Sequence, residues 1–141
     1  MVTIEVVQNE ALAQVGAFYK TMRYGGGVSE ADVTLAAKVD RRLVGAVRLC
    51  HEGGVIVLRG MQVDPAFQRK GICHFLLTHC IPYLDRGKAY CLPYSHLVEF
   101  YMQGGFILVP ADSLPPFLAA RLAAYVSAGQ RVLAMQRPGP G

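Results

Sequence analysis

Strand-like and helix-like spacings of apolar residues alternate along the chain. Val2–Val7 reads as a short strand. Ala11, Val15 and Phe18 then fall on one side of a helix expected over 9–19, with Asn9 as its N-cap. Tyr24-Gly25-Gly26-Gly27 reads as a flexible loop; no strand precedes it and no Lys-Ser or Lys-Thr follows, so it makes a poor phosphate loop. Strands are expected over 32–39, 43–50 and 55–63, separated only by the turns Asp40-Arg41 and Glu52-Gly53-Gly54. Short turns between consecutive strands predict an antiparallel meander. Gly60, inside the last of these strands, marks a bulge or the close approach of another backbone.

After Asp64-Pro65 the period changes again. Ile72, Phe75, Leu76, His79 and Cys80 sit at helical spacing, with Pro82 disturbing the last turn and Gly87 as the stop. A short strand follows over 88–92. Ser95 caps a helix running to Gln103, and Gly104-Gly105 ends it. A strand over 106–109, a helix after Ser113 carrying Leu114, Phe117, Leu118, Leu122 and Tyr125 on one face, and a closing strand over 132–136 complete the order β-α-β-β-β-α-β-α-β-α-β. The alternation predicts a mixed α/β (α+β) domain. Residues 1–136 form one domain on this reading, and 137–141 a loose tail of Arg, Pro and Gly.

Composition narrows the class. A chain of 141 residues suits one domain with a substantial core, and 52% hydrophobic against 17% charged residues argues against global disorder. The net charge of +4 is spread over fourteen Lys and Arg, adjacent only at Arg41-Arg42 and Arg69-Lys70. A nucleic-acid binder would cluster them, so no nucleic-acid partner is expected. The field can instead attract a small polyanion. The four cysteines form no CxxC pair and, with the four histidines, match no metal-ligand spacing, so reduced thiols and no metal are expected. Residues 1–7 are too short and mixed for a secretory signal, and no apolar run is long enough to span a membrane; a cytoplasmic location is expected.

The chemistry concentrates in Val63-Asp64-Pro65-Ala66-Phe67-Gln68-Arg69-Lys70-Gly71-Ile72-Cys73. A strand ends, a polar loop follows, and a helix begins near Gly71. A helix N-terminus offers unpaired amides and the positive end of the macrodipole, and anions bind there. Gly71 has no side chain to block the backbone, and Arg69 and Lys70 add charge. Taken alone, a basic turn with one glycine is better explained as an ordinary strand-to-helix turn with solvated charges.

Gln68, Gly71 and Cys73 resemble the Gln/Arg-x-x-Gly-x-Gly/Ala signature of the GNAT superfamily, the acetyl-CoA-dependent N-acyltransferases, with Cys73 in place of the last small residue. Phe100-Tyr101-Met102-Gln103-Gly104-Gly105-Phe106 resembles that family's Phe-Tyr-x-x-x-Gly-Phe, at a typical separation. Tyr94 stands where members often carry Asn. The resemblance implies a GNAT-like single domain whose central, mostly antiparallel mixed sheet of about seven strands is flanked by helices. It implies acetyl-CoA as cosubstrate, with its pyrophosphate held by Gln68, Arg69, Lys70, Gly71, Ile72 and Cys73. Its pantetheine arm would meet backbone at Met61, Gln62 and Val63, in a gap between the strand 55–63 and the strand 88–92.

The reaction implied is direct attack of a primary amine, on a small molecule or a protein, upon the thioester in a ternary complex. Tyr101 is the implied general acid for the leaving thiolate. The base stays open among Glu52, His51, His96, Glu99 and ordered water; Glu52 reads as a solvated turn residue. By analogy of fold, Tyr19, Tyr24, the Gly25-Gly26-Gly27 loop and Tyr94 are candidates for the acceptor pocket. The competing reading is a catalytically weak acyl-CoA-binding module or regulatory protein of the same fold. The Leu- and Ala-rich stretch 114–126 and the last strand give a third possibility, pairing into a homodimer.

Overall fold

A computed structural model describes residues 1–140. Seven strands form one sheet in the order β1-β2-β3-β4-β5-β7-β6. In chain order these are β1 (Val2–Val7), β2 (Val33–Val39), β3 (Arg42–Glu52), β4 (Val55–Val63), β5 (Ala89–Cys91), β6 (Ile107–Leu108) and β7 (Met135–Arg137). Four helices join them: α1 (Leu12–Thr21), α2 (Ile72–Leu84), α3 (Val98–Met102) and α4 (Pro116–Ser127). The element order is the one expected from the sequence, and β1 to β4 form an antiparallel meander.

The two faces of the sheet bury different helices. Leu35, Val47, Leu49, Ile56 and Leu58 pack with Leu76, Leu77 and Cys80 of α2. On the opposite face, Ala36 and Ala46 pack against Leu12, Val15, Phe18 and Tyr19 of α1. Val57 and Tyr90 pack beneath Leu118 and Leu122 of α4. Burial of alternate strand positions on alternate faces follows from the pleat.

Local starts and stops depart from expectation. Asn9 has φ 56° and opens a 3-10 turn, Asn9–Ala11; the N-cap of α1 is Ala11, which has no side-chain cap bond. Ser95 likewise opens a 3-10 turn without capping it, and α3 begins only at Val98. Pro82 lies inside α2, which continues to Leu84. The expected tail begins too early: Arg137 is a residue of β7, with Nε donating to the Gly104 carbonyl at 2.8 Å and Nη2 2.8 Å from Asp85. Gly139 lies against Lys88, where an added Cβ would meet the Lys88 amide nitrogen at 2.9 Å. Gly141 lies outside the described residues.

Candidate functional site

The site begins where two strands part. β4 and β5 pair in parallel only at Ile56↔Ala89 and Val57↔Tyr90. Beyond Val57, β4 runs on to Val63 with β3 as its only sheet neighbour. The chain after β5 turns the other way, toward the end of the molecule: Tyr94 bridges Val132, and Leu133 N–H donates to the Pro93 carbonyl at 3.0 Å. A wedge-shaped cleft of about 600 Å³ opens between them. Leu58, Gly60, Met61 and Gln62 line one wall; Cys91, Leu92 and Tyr94 line the other. A strand edge without a neighbour offers backbone amides and carbonyls to an extended ligand.

A bulge shapes the β4 wall. Ala46 pairs with Gln62 and Arg48 with Arg59, so Val47 alone faces the two residues Gly60 and Met61. Gly60 has φ 69°, and a Cβ there would stand 2.7 Å from the Tyr19 hydroxyl. That hydroxyl donates to the Gly60 carbonyl at 2.8 Å. Glycine is therefore required twice, by conformation and by space. The extra residue exchanges the faces: Leu58 and Met61 both turn toward the α2 core, whereas Arg59 and Gln62 line the cleft from the other side.

The loop after β4 is ordered by its own side chains. Asp64 accepts from the Ala66 amide at 2.9 Å and from Arg42 Nη2 at 3.2 Å. Gln68 Nε2 donates to the Val63 carbonyl at 3.1 Å, tying the loop to the end of β4. Arg69 and Gly71 both take left-handed conformations, φ 63° and 78°. Gly71 is the N-cap of α2 and supplies no side-chain cap, leaving the first-turn amides to an outside acceptor. Its Cβ position is open space, and Arg69 and Lys70 are exposed beside it. Ile72 is buried in the α2 core and Cys73 packs against it, so these two present backbone rather than side chain. The segment fits a pyrophosphate.

Tyr101 projects from α3 into the same cleft. Phe100 and Phe106 fix its ring edge-on, with centroids at 5.0 and 6.2 Å. Burial holds its phenol protonated well beyond the neutral range. The cysteines are free, and burial raises all four thiols, Cys50 to about 11 and Cys80 to about 12. A thiol held protonated is a poor nucleophile.

The sequence candidates for the acceptor pocket separate. Tyr24 and Tyr94 line the cleft; Tyr19 is fully buried and holds the bulge instead. Tyr24 is itself held, by Arg48 Nη2 at 3.1 Å from its hydroxyl. Arg48 is buried, lies over the Tyr19 and Tyr24 rings at 5.7 and 5.9 Å, and has Asp32 3.9 Å away. Its Nε and the hydroxyl of its cross-strand neighbour Thr34 find no partner among the described residues.

The candidates for the base also scatter. His51 and Glu99 are exposed, and His96 is exposed beneath the Tyr94 ring at 5.9 Å. Glu52 is not a free turn residue: both oxygens accept from Arg121 at 3.0 Å, and this hydrogen bonding lowers its pKa. A depressed carboxylate is a weak base. Sequence reading missed Arg23, Arg59 and Arg121, which line the cleft from three separate elements or their ends. Their only signal was scattered positive charge.

Among the described residues no three His, Cys, Asp or Glu come together to hold a metal, and no helix is long and apolar enough to cross a membrane.

Comparison with solved structures places the fold. An acetyltransferase of the GNAT family from Streptococcus pneumoniae superposes with a TM-score of 0.75 at 14% identity, covering 99% of this chain and 100% of that one. The ribosomal-protein-S18-alanine N-acetyltransferase of Escherichia coli gives 0.67 at 17%, covering 98% and 94%. N-acetylglutamate synthase from Neisseria gonorrhoeae, complexed with coenzyme A and N-acetyl-glutamate, gives 0.68 at 18%, covering 98% of this chain but 35% of that one. No curated protein matches in sequence. The family model described as "Acetyltransferase (GNAT) domain" matches residues 4–113, from β1 through the cleft and Tyr101 to the turn before α4; the chain belongs to the GNAT acetyltransferase family.

Proposed function

We propose that the protein transfers an acetyl group from acetyl-CoA to a primary amine by direct attack in a ternary complex. The observation that carries this reading is the cleft itself. An unpaired strand edge and a buried phenol line one cavity, and the same strand runs on from it into the loop that opens the uncapped N-terminus of α2. Bound acetyl-CoA would supply a thioester carbonyl open to an amine, whose attack forms a C–N bond and breaks the C–S bond.

The chain's own groups divide that work. The loop 68–73 holds the phosphates, and the edge of β4 at Met61 to Val63 orients the arm. The Met61 amide, in the bulge itself, would donate to the carbonyl oxygen as negative charge grows there. Tyr101 gives its proton to the departing sulfur; a free thiol has a pKa of roughly 8.5, so a donor helps modestly. No Asp or Glu among the described residues lines the cleft, so the surplus proton of the amine leaves to solvent, and Tyr101 regains a proton from there. Four thiols held protonated favour direct attack over an acyl-cysteine route.

Native mass spectrometry with acetyl-CoA, followed by thiol release over a panel of amines, tests this. One bound acetyl-CoA and amine-dependent thiol release are expected. Binding without release from any amine would leave a donor-binding module instead.

A further inference from the structure

The acceptor half of the cleft carries charge that the donor half does not use. Arg23, Arg59 and Arg121 line it, and among the described residues no Asp or Glu does. One carboxylate stands behind them. Glu52 occupies the fork of Arg121 through two bonds of 3.0 Å. The same carboxylate lies 3.8 Å from Arg59 Nη1, beyond hydrogen-bond reach. Arg23 pairs with no carboxylate among the described residues. Two guanidinium groups therefore face the cleft with donors to spare.

This charge lies across the sheet from the phosphate cradle. Val57 packs beneath α4, and Arg59, two residues on, shares its face. The loop 68–73 leads into α2, which packs on Ile56 and Leu58 of the opposite face. The arginines are thus placed for a different anion. At the same wall Arg121 already takes one carboxylate, that of Glu52, end-on in its planar fork, and the guanidinium groups of Arg59 and Arg23 offer the same chemistry.

Resting on the transferase reading above, we propose that the acceptor is a small amine bearing a carboxylate, which Arg59 and Arg23 hold on the α1 and α4 face of the cleft. The arrangement also addresses the missing base. The attacking amine must be neutral. Nearby positive charge disfavours its ammonium form, and neutralising the acceptor's own carboxylate removes a group that would favour it. A cationic or polyamine acceptor would instead meet repulsion from Arg23 and Arg59.

The test measures thiol release with acetyl-CoA over matched sets: an amino acid, its amide and its decarboxylated amine. The expected result is a kcat/KM for the acid at least tenfold above that for its amide. Arg59→Gln should collapse this ratio by raising KM for the acid more than for the amide, and Arg59→Lys should restore part of it. Should Arg59→Gln fail to fold, the exposed Arg23→Gln gives the same reading. Amides or decarboxylated amines used as well as the acids would overturn the proposal and leave the transferase reading standing. If acetyl-CoA binds and no amine reacts, the transferase reading fails. Calorimetry of N-acetyl amino acids against their amides, on CoA-loaded protein, then decides. Acid-selective binding supports the carboxylate site, and binding of neither, or of the amide alone, overturns it.

Discussion

The two sides of the cleft are built from different materials. The donor side is backbone: an unpaired strand edge, a bulge, and a helix start without a side-chain cap. Its residues are close in sequence, from Gly60 to Cys73. The acceptor side is side chain: Arg23 and Tyr24 after α1, Arg59 on β4, Tyr94 after β5, and Arg121 on α4. Backbone geometry presents the same groups whatever the neighbouring residues are, so it suits a fixed cosubstrate. Side chains from distant segments can change independently, so they suit a variable one. Substitutions on the two sides should therefore fail in different ways.

The largest effect is expected at the point where the two sides meet. Tyr101→Phe keeps the ring against Phe100 and Phe106 and removes only the proton. Turnover should fall by about 10²-fold, the low end for general-acid catalysis, while acetyl-CoA binding and thermal midpoint stay near those of the wild type. Unchanged turnover would remove Tyr101 from the chemistry.

Next comes the bulge, which belongs to the donor side yet is pinned from the acceptor side. Gly60→Ala places a Cβ 2.7 Å from the Tyr19 hydroxyl at φ 69°. Left-handed strain alone costs about 1–3 kcal/mol, and the displaced Tyr19 bond adds roughly 1 kcal/mol. Denaturant unfolding should show a loss near the sum. Tyr19→Phe should lose only the hydrogen-bond part. In the double variant the two losses should fall short of additivity, because both act on one contact.

How much of each side could be read from the sequence follows from the same division. The meander, the strand-to-helix loop and the bulge at Gly60 were legible, because local periodicity and glycine placement determine them. The place of Tyr101 in the cleft is legible through its motif. The acceptor side was not. Tyr19 reads as a pocket residue, and only the fold shows its hydroxyl spent on the Gly60 carbonyl. Glu52 reads as a solvated turn residue because nothing local reveals Arg121, which is brought to it by α4 packing over Val57. Asn9 and Ser95 have the residue type of an N-cap, yet both open 3-10 turns without a side-chain cap bond. Arg137 looked like part of a tail because its partners, Gly104 and Asp85, are remote in sequence.

A smaller effect is expected at the phosphate end. Gly71→Ala meets no atom within 4 Å but must hold φ 78°. The strain should be roughly 1–2 kcal/mol, divided between a lower midpoint and weaker donor binding. Because the role lies in backbone, calorimetry with acetyl-CoA should show several-fold weaker binding, with the acceptor preference unchanged. A changed acceptor preference would show that the two sides are not separable.

The smallest effect tests whether the acceptor side is held by charge. Arg121→Met keeps a chain of similar length beside Phe117 and removes both bonds to Glu52. The pair is partly solvated, with side-chain exposures of 23% and 28%, so its worth is about 1 kcal/mol or less. Its sign with pH is fixed by Glu52. Hydrogen bonding from Arg121 depresses the folded pKa of Glu52 below the unfolded carboxyl value of roughly 4.3. The stabilisation is therefore fully present above that unfolded value and is lost as pH falls through the folded one. Urea unfolding of wild type and Arg121→Met should differ at pH 7 and converge on acidification below pH 4 or so. A gap that persists unchanged in acid would mean that the guanidinium over the Phe117 ring, which stays charged, matters more than the bonds to Glu52. Glu52 would then be a weaker guide to what Arg59 and Arg23 hold.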